Sequence, residues 1–424
     1  MATRLRPAVA RALAAFVLAA PVALSCGQSD PRAATARSAQ EGRTQRAIET
    51  ARIGDGERTE YSFGAITGLA IDEAGHLYVA DAQARLITVF DPRGALLATF
   101  GRRGNGPGEF QHPTSLGIAA DGDLWVSDME RVQRFRPTRT GGPATQYAAV
   151  VGSVTYHDWT STRPGTIDRD GYFHVPRSFT RTSTGRPEVV QTIVRLAANG
   201  KSVDTLAVPS YENTPALSAS YMVSARSGRM LHGLNHVPFA AVPVWTSSPA
   251  GTIISGNARR YELVETDAAG KVLRRFSRPF IPVTIDRAER RDSLRALGAR
   301  FDSIAVPLSQ VQGMPDDVRD QRLPTHYPPY RELSVARDGA LWVRRWTTRT
   351  ERGTSKYDVF SPEARFLGTV VLPAELTGAP AIVIARDWIA GVSVDPETGL
   401  QSVVRFEYAV FSAPAFSPRP RGSP

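Results

Sequence analysis

Apolar residues along this chain fall into short runs that come in pairs, each pair split by an acidic, glycine-bearing turn. Residues 68–81 read GLAIDEAGHLYVAD and residues 115–128 read SLGIAADGDLWVSD. Each copy is an apolar run, a turn, and a second apolar run. This is the pattern of a tight β-hairpin in which Gly75 or Gly122 takes positive φ. Tyr78 and Trp125 occupy matching places, as do Asp81 and Asp128, in each case 47 positions apart. After the first copy, LITVFDPRGALLATFG at 86–101 adds two strands around Asp91-Pro92-Arg93-Gly94. Four antiparallel strands within about fifty residues is the size of one propeller blade.

Fainter copies follow. GTIDRDGYFHV at 165–175 precedes VVQTIVRLAANGKSVDTLAV at 189–208, and PAGTIISG at 249–256 precedes YELVETDAAGKVLRRF at 261–276. RELSVARDGALWVRR at 331–345 precedes YDVFSPEARFLGTVVL at 357–372, and AIVIARDWIAGVSVD at 381–395 precedes QSVVRFEYAVF at 401–411. The repetition predicts an all-β fold, a six-bladed β-propeller of four-stranded antiparallel blades spanning 48–412. The segment ETARIGDGERTEYSF at 49–63 reads as a stray outer strand that closes the ring on the last blade. One stretch breaks the β rhythm. In IDRAERRDSLRALGARFDSI, Leu294, Leu297, Phe301 and Ile304 fall at helical spacing, and Asp286 with Glu289 resembles a capping box. A helix over about 285–305 is therefore expected between blades four and five, laid across one face of the ring.

The first two blades carry a resemblance. IDEAGHLYVADAQARLITVFDPRGALLATFGRRGNGPGEF at 71–110 is similar to an NHL repeat, and the whole looks like bacterial six-bladed propeller lipoproteins. The resemblance implies a fold and no single activity, because that family includes scaffolds, RNA binders, sensor domains and a metal-dependent lyase.

The chain's ends bear on its address. Arg4, Arg6 and Arg11 precede an apolar stretch from Ala12 to Leu24, and Ala23-Leu24-Ser25 sets small residues before Cys26. That is the layout of a secretory signal over 1–25, with Cys26 placed as the lipidated cysteine of a lipobox. Ala23 stands where that motif prefers leucine, so ordinary cleavage after Ser25 is the alternative. The expected address is the cell envelope, with a lipid anchor on a membrane. Residues 26–47 read as a flexible tether and 413–424 as a disordered tail. Cys26 is the only cysteine, which excludes internal disulfides. Removing the three signal arginines lowers the formal charge from +10 to +7. The arginines are scattered, and export with scattered charge argues against nucleic acid as a partner.

The chemistry is thinner. GRRGNGPGEFQHP at 101–113 offers a backbone nest for an anion, or a simple chain reversal in which Glu109 caps its own backbone. Gly200-Lys201-Ser202 imitates a phosphate loop, but Arg195 stands where the upstream glycine belongs, so a hairpin turn is expected. Asp81 and Asp128, repeated around a pore, would suit Ca²⁺, or each would cap the next loop. His232 and His236, four apart, would suit zinc only on a helix. Whether His112, His174 and His326 converge is left open. No GxSxG elbow occurs, and no catalytic residue is assigned.

The leading reading is a monomeric, non-catalytic binding module for a protein, peptide or glycan. The alternative is a metal-dependent hydrolase or lyase using Ca²⁺ or zinc in the pore. The expected ligand face collects Asp81, Arg85, Arg102, Arg103, His112, Asp128, Arg131, Arg344 and Arg345.

Overall fold

Glycine decides the first turn at one end of five of the six blades. Gly75, Gly122, Gly171, Gly251 and Gly339 all sit at positive φ in the first hairpin of their blades, a conformation that costs other residues energy. The computed structural model describes residues 43–54, 61–128, 131–153, 166–168, 170–183, 186–197, 202–207, 218–224, 230–236, 238–303 and 323–411.

Six four-stranded antiparallel sheets follow in order. Blade 1 comprises Ile66–Ile71, Leu77–Asp81, Leu86–Phe90 and Leu96–Phe100, and blade 2 comprises Pro113–Ile118, Leu124–Asp128, Arg131–Pro137 and Ala144–Ser153. Blade 3 comprises Thr166–Ile167, Phe173–Ser183, Arg186–Leu196 and Ser202–Ala207. Blade 4 comprises Val244–Ser247, Ile253–Gly256, Glu262–Thr266 and Val272–Ser277. Blade 5 comprises Glu332–Val335, Leu341–Arg344, Ser355–Phe360 and Phe366–Leu372. Blade 6 takes Val383–Ile384, Trp388–Val394 and Gln401–Glu407 from the end of the chain, and its outer strand, Ile48–Ile53, from the beginning. The closure expected from 49–63 is therefore present, and the fold is a six-bladed β-propeller.

Second strands are buried on both faces, as in Leu77–Asp81 and Leu124–Asp128, whereas outer strands such as Val272–Ser277 are mostly exposed. That is why the second strands read as continuous apolar runs and the outer ones read faintly. The core is a set of seams between neighbouring blades. Ile87, Phe110, Leu116 and Phe135 fill one seam, and Trp125, Phe173 and Leu196 the next. Ile193, Trp245 and Ile253 fill the third, and Leu263, Leu333, Val343 and Phe360 the fourth. Trp342, Tyr357, Ile389 and Phe406 fill the fifth. Ile53, Leu69, Val79 and Val403 close the ring between the last blade and the first.

Two additions were not legible beforehand. Arg43–Arg46 pairs in parallel with the outer strand of blade 5, so strand structure begins inside the stretch read as tether. Its sequence, RTQR, is polar and exposed and carries no apolar signature. Ser218–Ser224 and Met230–His236 form a two-stranded hairpin between blades 3 and 4. The expected helix is present as α1, Arg287–Ser303, between blades 4 and 5. Asp286 caps it through the Ala288 N–H. Glu289 does not complete a capping box. It is buried and accepts the Tyr327 hydroxyl, which ties α1 to the cluster of Phe239, Ile285, Tyr327 and Trp346. Leu297 is buried and Leu294 half-buried, while the side chains of Phe301 and Ile304 lie outside the described residues. Residues 1–42 and 412–424 also lie outside, and with them the signal, most of the tether and the tail.

One buried polar pair sets a pH limit. Asp168 meets His174 Nε2 at 2.8 Å and also accepts the Tyr172 and Asp170 amides. Burial works to raise its pKa, but the His174 bond and those amides outweigh it and leave it lowered. A depressed folded-state pKa contributes stability that is present above the unfolded value and is lost as pH falls through the folded one. We expect the protein to lose stability as pH falls below about 4. Asp168→Asn should be less stable at neutral pH and show a flatter acid limb in equilibrium unfolding. An unchanged acid limb would remove Asp168 from the account.

Candidate functional site

The alternation of antiparallel strands places two kinds of connection at one end of the ring, here called upper. These are the loops after second strands and the passages from one blade's outer strand to the next blade's inner strand. The lower end carries short turns closed by backbone bonds, such as Ala119–Asp123, Ala336–Ala340 and Ser361–Arg365. The upper end carries the loop 101–112, the passage holding the 218–236 hairpin, the passage holding α1, and the loop 373–382.

The two repeated aspartates are fasteners. Asp81 accepts the Gly64 and Ala65 amides at 2.8 and 3.1 Å, and Asp128 accepts the Gln111 and His112 amides at 2.8 and 2.6 Å. Donors and acceptors alike are 47 positions apart. In each blade the second strand ends in a buried carboxylate that pins the incoming chain. Asp81 also takes the Gln83 and Ala84 amides, and Asp128 is held by Arg131 at 3.2 Å. Both carboxylates are spent on architecture, which is the loop-capping role and not a ring of metal ligands.

The glycine loop supplies its own anion. Glu109 accepts the Gly106 amide at 2.7 Å and pairs with Arg102 at 2.7 Å. The Gly106 amide and the Arg102 guanidinium hold its carboxyl below the usual range. A side chain at Gly104 would strike that carboxylate. Arg131 donates to the carbonyls of Asn105 and Glu109, and Gln133 adds a second bond to Glu109. Arg85, itself at positive φ, donates to the Gln111 carbonyl. The loop is thereby fixed to blades 1 and 2, and it is the chain reversal in which Glu109 caps its own backbone, not a nest for an external anion.

The remaining residues divide. Arg344 is buried, pairs with Glu332 at 3.0 Å and donates to the Leu376 carbonyl, so it braces blade 5 against blade 6. Arg102 keeps 80% of its side chain exposed despite its ion pair. Arg103 is exposed and Arg345 half-buried, and neither makes a side-chain ion pair or hydrogen bond among the described residues. The structure thus sets Arg85, Arg102, Arg103, His112 and Arg131 around one loop and leaves Arg344 and Arg345 on blade 5.

The histidines lie apart. His112 is at the upper end of blade 2. His174 is buried at the lower end of blade 3 against Asp168, and His326 pairs with Thr325 beside α1. His232 and His236 occur on a strand, where four residues span about 13 Å. Among the described residues no three His, Cys, Asp or Glu side chains come together to hold a metal. Residues 198–201 lie outside the description, but antiparallel strands flank them where a phosphate loop would need a helix.

No family model matches the chain, and neither does any curated protein. Solved structures do. Virginiamycin B lyase from Staphylococcus aureus is 12% identical over 86% of this chain and 98% of its own, with a TM-score of 0.39. The calcium-binding protein regucalcin from Agrobacterium tumefaciens is 11% identical, covering 87% and 99%, with a TM-score of 0.36. A protein of Bacteroides fragilis described as exported is 10% identical, covering 86% and 98%, with a TM-score of 0.45. The similarity is one of fold.

Proposed function

We propose that this chain is an exported, lipid-anchored propeller of the NHL type that presents its upper face to a protein, peptide or glycan of the cell envelope, without catalysing a reaction. The observation that carries this is the asymmetry of the ring. The long connections emerge at one end, and the other end carries tight turns. A rigid ring with elaborated loops on one side is a scaffold for recognition. Arg102, Arg103 and Arg345 stand on that side with little or no architectural duty. Anchoring rests on the Arg4–Arg11 region, the apolar stretch and Cys26, and among the described residues no helix is long and apolar enough to cross a membrane.

The alternative, a metal-dependent hydrolase or lyase, needs carboxylates or histidines that converge on the pore. Stoichiometric Ca²⁺ or Zn²⁺ in the purified protein would favour it.

Two matched triple variants test the choice of face against a partner captured by cross-linking. Arg102, Arg103 and Arg345 to Ala removes three charges from the upper end. Arg93, Arg139 and Arg365 to Ala removes three from the lower turns. The first should weaken binding by about tenfold or more, a change of about 1.4 kcal/mol. The second should leave it unchanged, and the reverse order would sink the reading. Arg344 is left intact because it holds two blades together.

A further inference from the structure

A cavity of about 450 Å³ opens at the lower end of the ring, between blades 1 and 2. That volume falls within the range of small-molecule sites, about 300–1,000 Å³. The first turns of the two blades, which are their innermost, form one side of it, and the outer hairpin of blade 2 forms the other. Charge is sorted between these sides. The inner turns contribute Asp72 and Glu73 from blade 1 and Asp121 and Asp123 from blade 2. The outer hairpin contributes Arg136 and Arg139. One wall is therefore acidic and the facing wall basic.

The two walls are only partly satisfied by the protein itself. Asp72 is engaged, since it pairs with the His76 ring at 2.7 Å and accepts the Tyr78 hydroxyl at 3.1 Å. Glu73 meets Arg337 of blade 5 at 3.2 Å. Asp121 is exposed, accepts the Asp123 amide at 3.0 Å, and has no paired cation among the described residues. Asp123 keeps only 6% of its side chain exposed, yet Arg134 Nε and Arg136 Nε stand 3.4 and 3.5 Å from its carboxylate. A charge-assisted hydrogen bond spans about 2.7–2.9 Å, and Arg134 Nε is buried without a hydrogen-bond partner. Burial, and then the charge of Asp121, hold the Asp123 carboxyl above its ordinary pKa against the pull of both arginines. On the facing wall Arg139 is exposed and makes no ion pair or side-chain hydrogen bond among the described residues.

We propose that this cavity binds a small zwitterion, an α-amino acid or short peptide, with its ammonium group against Asp121 and Asp123 and its carboxylate against Arg139. An ammonium group carries three donors and can serve two carboxylates at once, while a guanidinium takes a carboxylate in bidentate fashion. A lone cation would meet the basic wall and a lone anion the acidic one, so the sorted charges favour a ligand that carries both. A metal ion is a poorer fit, because among the described residues no three His, Cys, Asp or Glu side chains come together to hold one. Ile118 and Pro137, half-buried in the lining, offer contact to an apolar side chain of the ligand. The site is separate from the upper face and takes a small molecule, so it stands independently of the partner proposed there.

The test is calorimetric titration of the purified full-length chain with leucine and with the dipeptide glycyl-leucine. Isoamylamine and isocaproate carry the same apolar chain with one charge each, and glucose serves as the neutral polar probe. At least one of the two zwitterions should bind saturably, and isoamylamine and isocaproate should each bind about tenfold more weakly or not at all. Asp121→Asn and Arg139→Gln should each weaken the zwitterion about tenfold. Both side chains are exposed on turns, so both variants should melt with the parent. Leucine binding alone would assign a free amino acid, and the dipeptide alone a peptide. No saturable binding of either zwitterion, equal binding of isoamylamine or isocaproate, or unchanged affinity in both variants would overturn the proposal. Binding of glucose alone would overturn it as well.

Discussion

Removing residues 43–54 should abolish folding of the ring. Blade 6 would lose its outer strand, Ile48–Ile53, and the seam between blades 6 and 1 would lose Ile53. Blade 5 would lose the parallel strand Arg43–Arg46. Each ladder hydrogen bond contributes about 1 kcal/mol net, and the buried Ile53 adds about 2 kcal/mol. With two ladders gone, the total approaches the 5–15 kcal/mol that holds a typical domain together. The truncated chain should be insoluble or lack a cooperative melt. Appending 43–54 after residue 411 should restore folding, because the outer strand of blade 6 pairs with Gln401–Glu407 near that end. A truncated chain with the parent's melting temperature would show that the ring does not need its clasp.

The second large effect is expected at Asp358. It is buried between blades 4 and 5 and serves Arg278, Tyr261 and Thr369 at once. Arg278 lies against the Phe366 ring at 4.3 Å, so it has little route to water. Asp358→Ala leaves that cation without its counter-charge, and breaking a buried pair in this way costs about 3–5 kcal/mol. Equilibrium denaturation should show that loss. Asp358→Ala combined with Arg278→Met should recover much of it, since the stranded charge is then gone. A single variant within about 1 kcal/mol of the parent would show the pair to be solvated.

The fold was legible where burial is two-sided. Leu77–Asp81, Leu124–Asp128 and Leu341–Arg344 are buried throughout, and such strands announce themselves as apolar runs. The clasp strand RTQR could not be read, because an exposed outer strand has no apolar face to reveal it. The hairpin at 218–236 was missed for a related reason. SASYMVS and MLHGLNH mix small, polar and apolar residues without a sustained alternation.

Site chemistry was legible only by residue type. The sequence marked Asp81, Asp128 and the 101–113 loop as notable. It offered loop capping for the aspartates and a self-capped Glu109 beside the ligand readings, and only the fold decides for the aspartates, by bringing the 64–65 and 111–112 amides to the two carboxylates. Arg278 with Asp358, brought together from neighbouring blades, left no local trace in the sequence.

The central claim is that recognition takes place on the upper face. Its most direct test is site-specific photo-cross-linking in intact cells, with the reactive residue placed at 103 or 345 on the upper side and at 93 or 365 on the lower. The account predicts a discrete adduct of one size from positions 103 and 345, and none from 93 and 365. Adducts from the lower positions alone would contradict it.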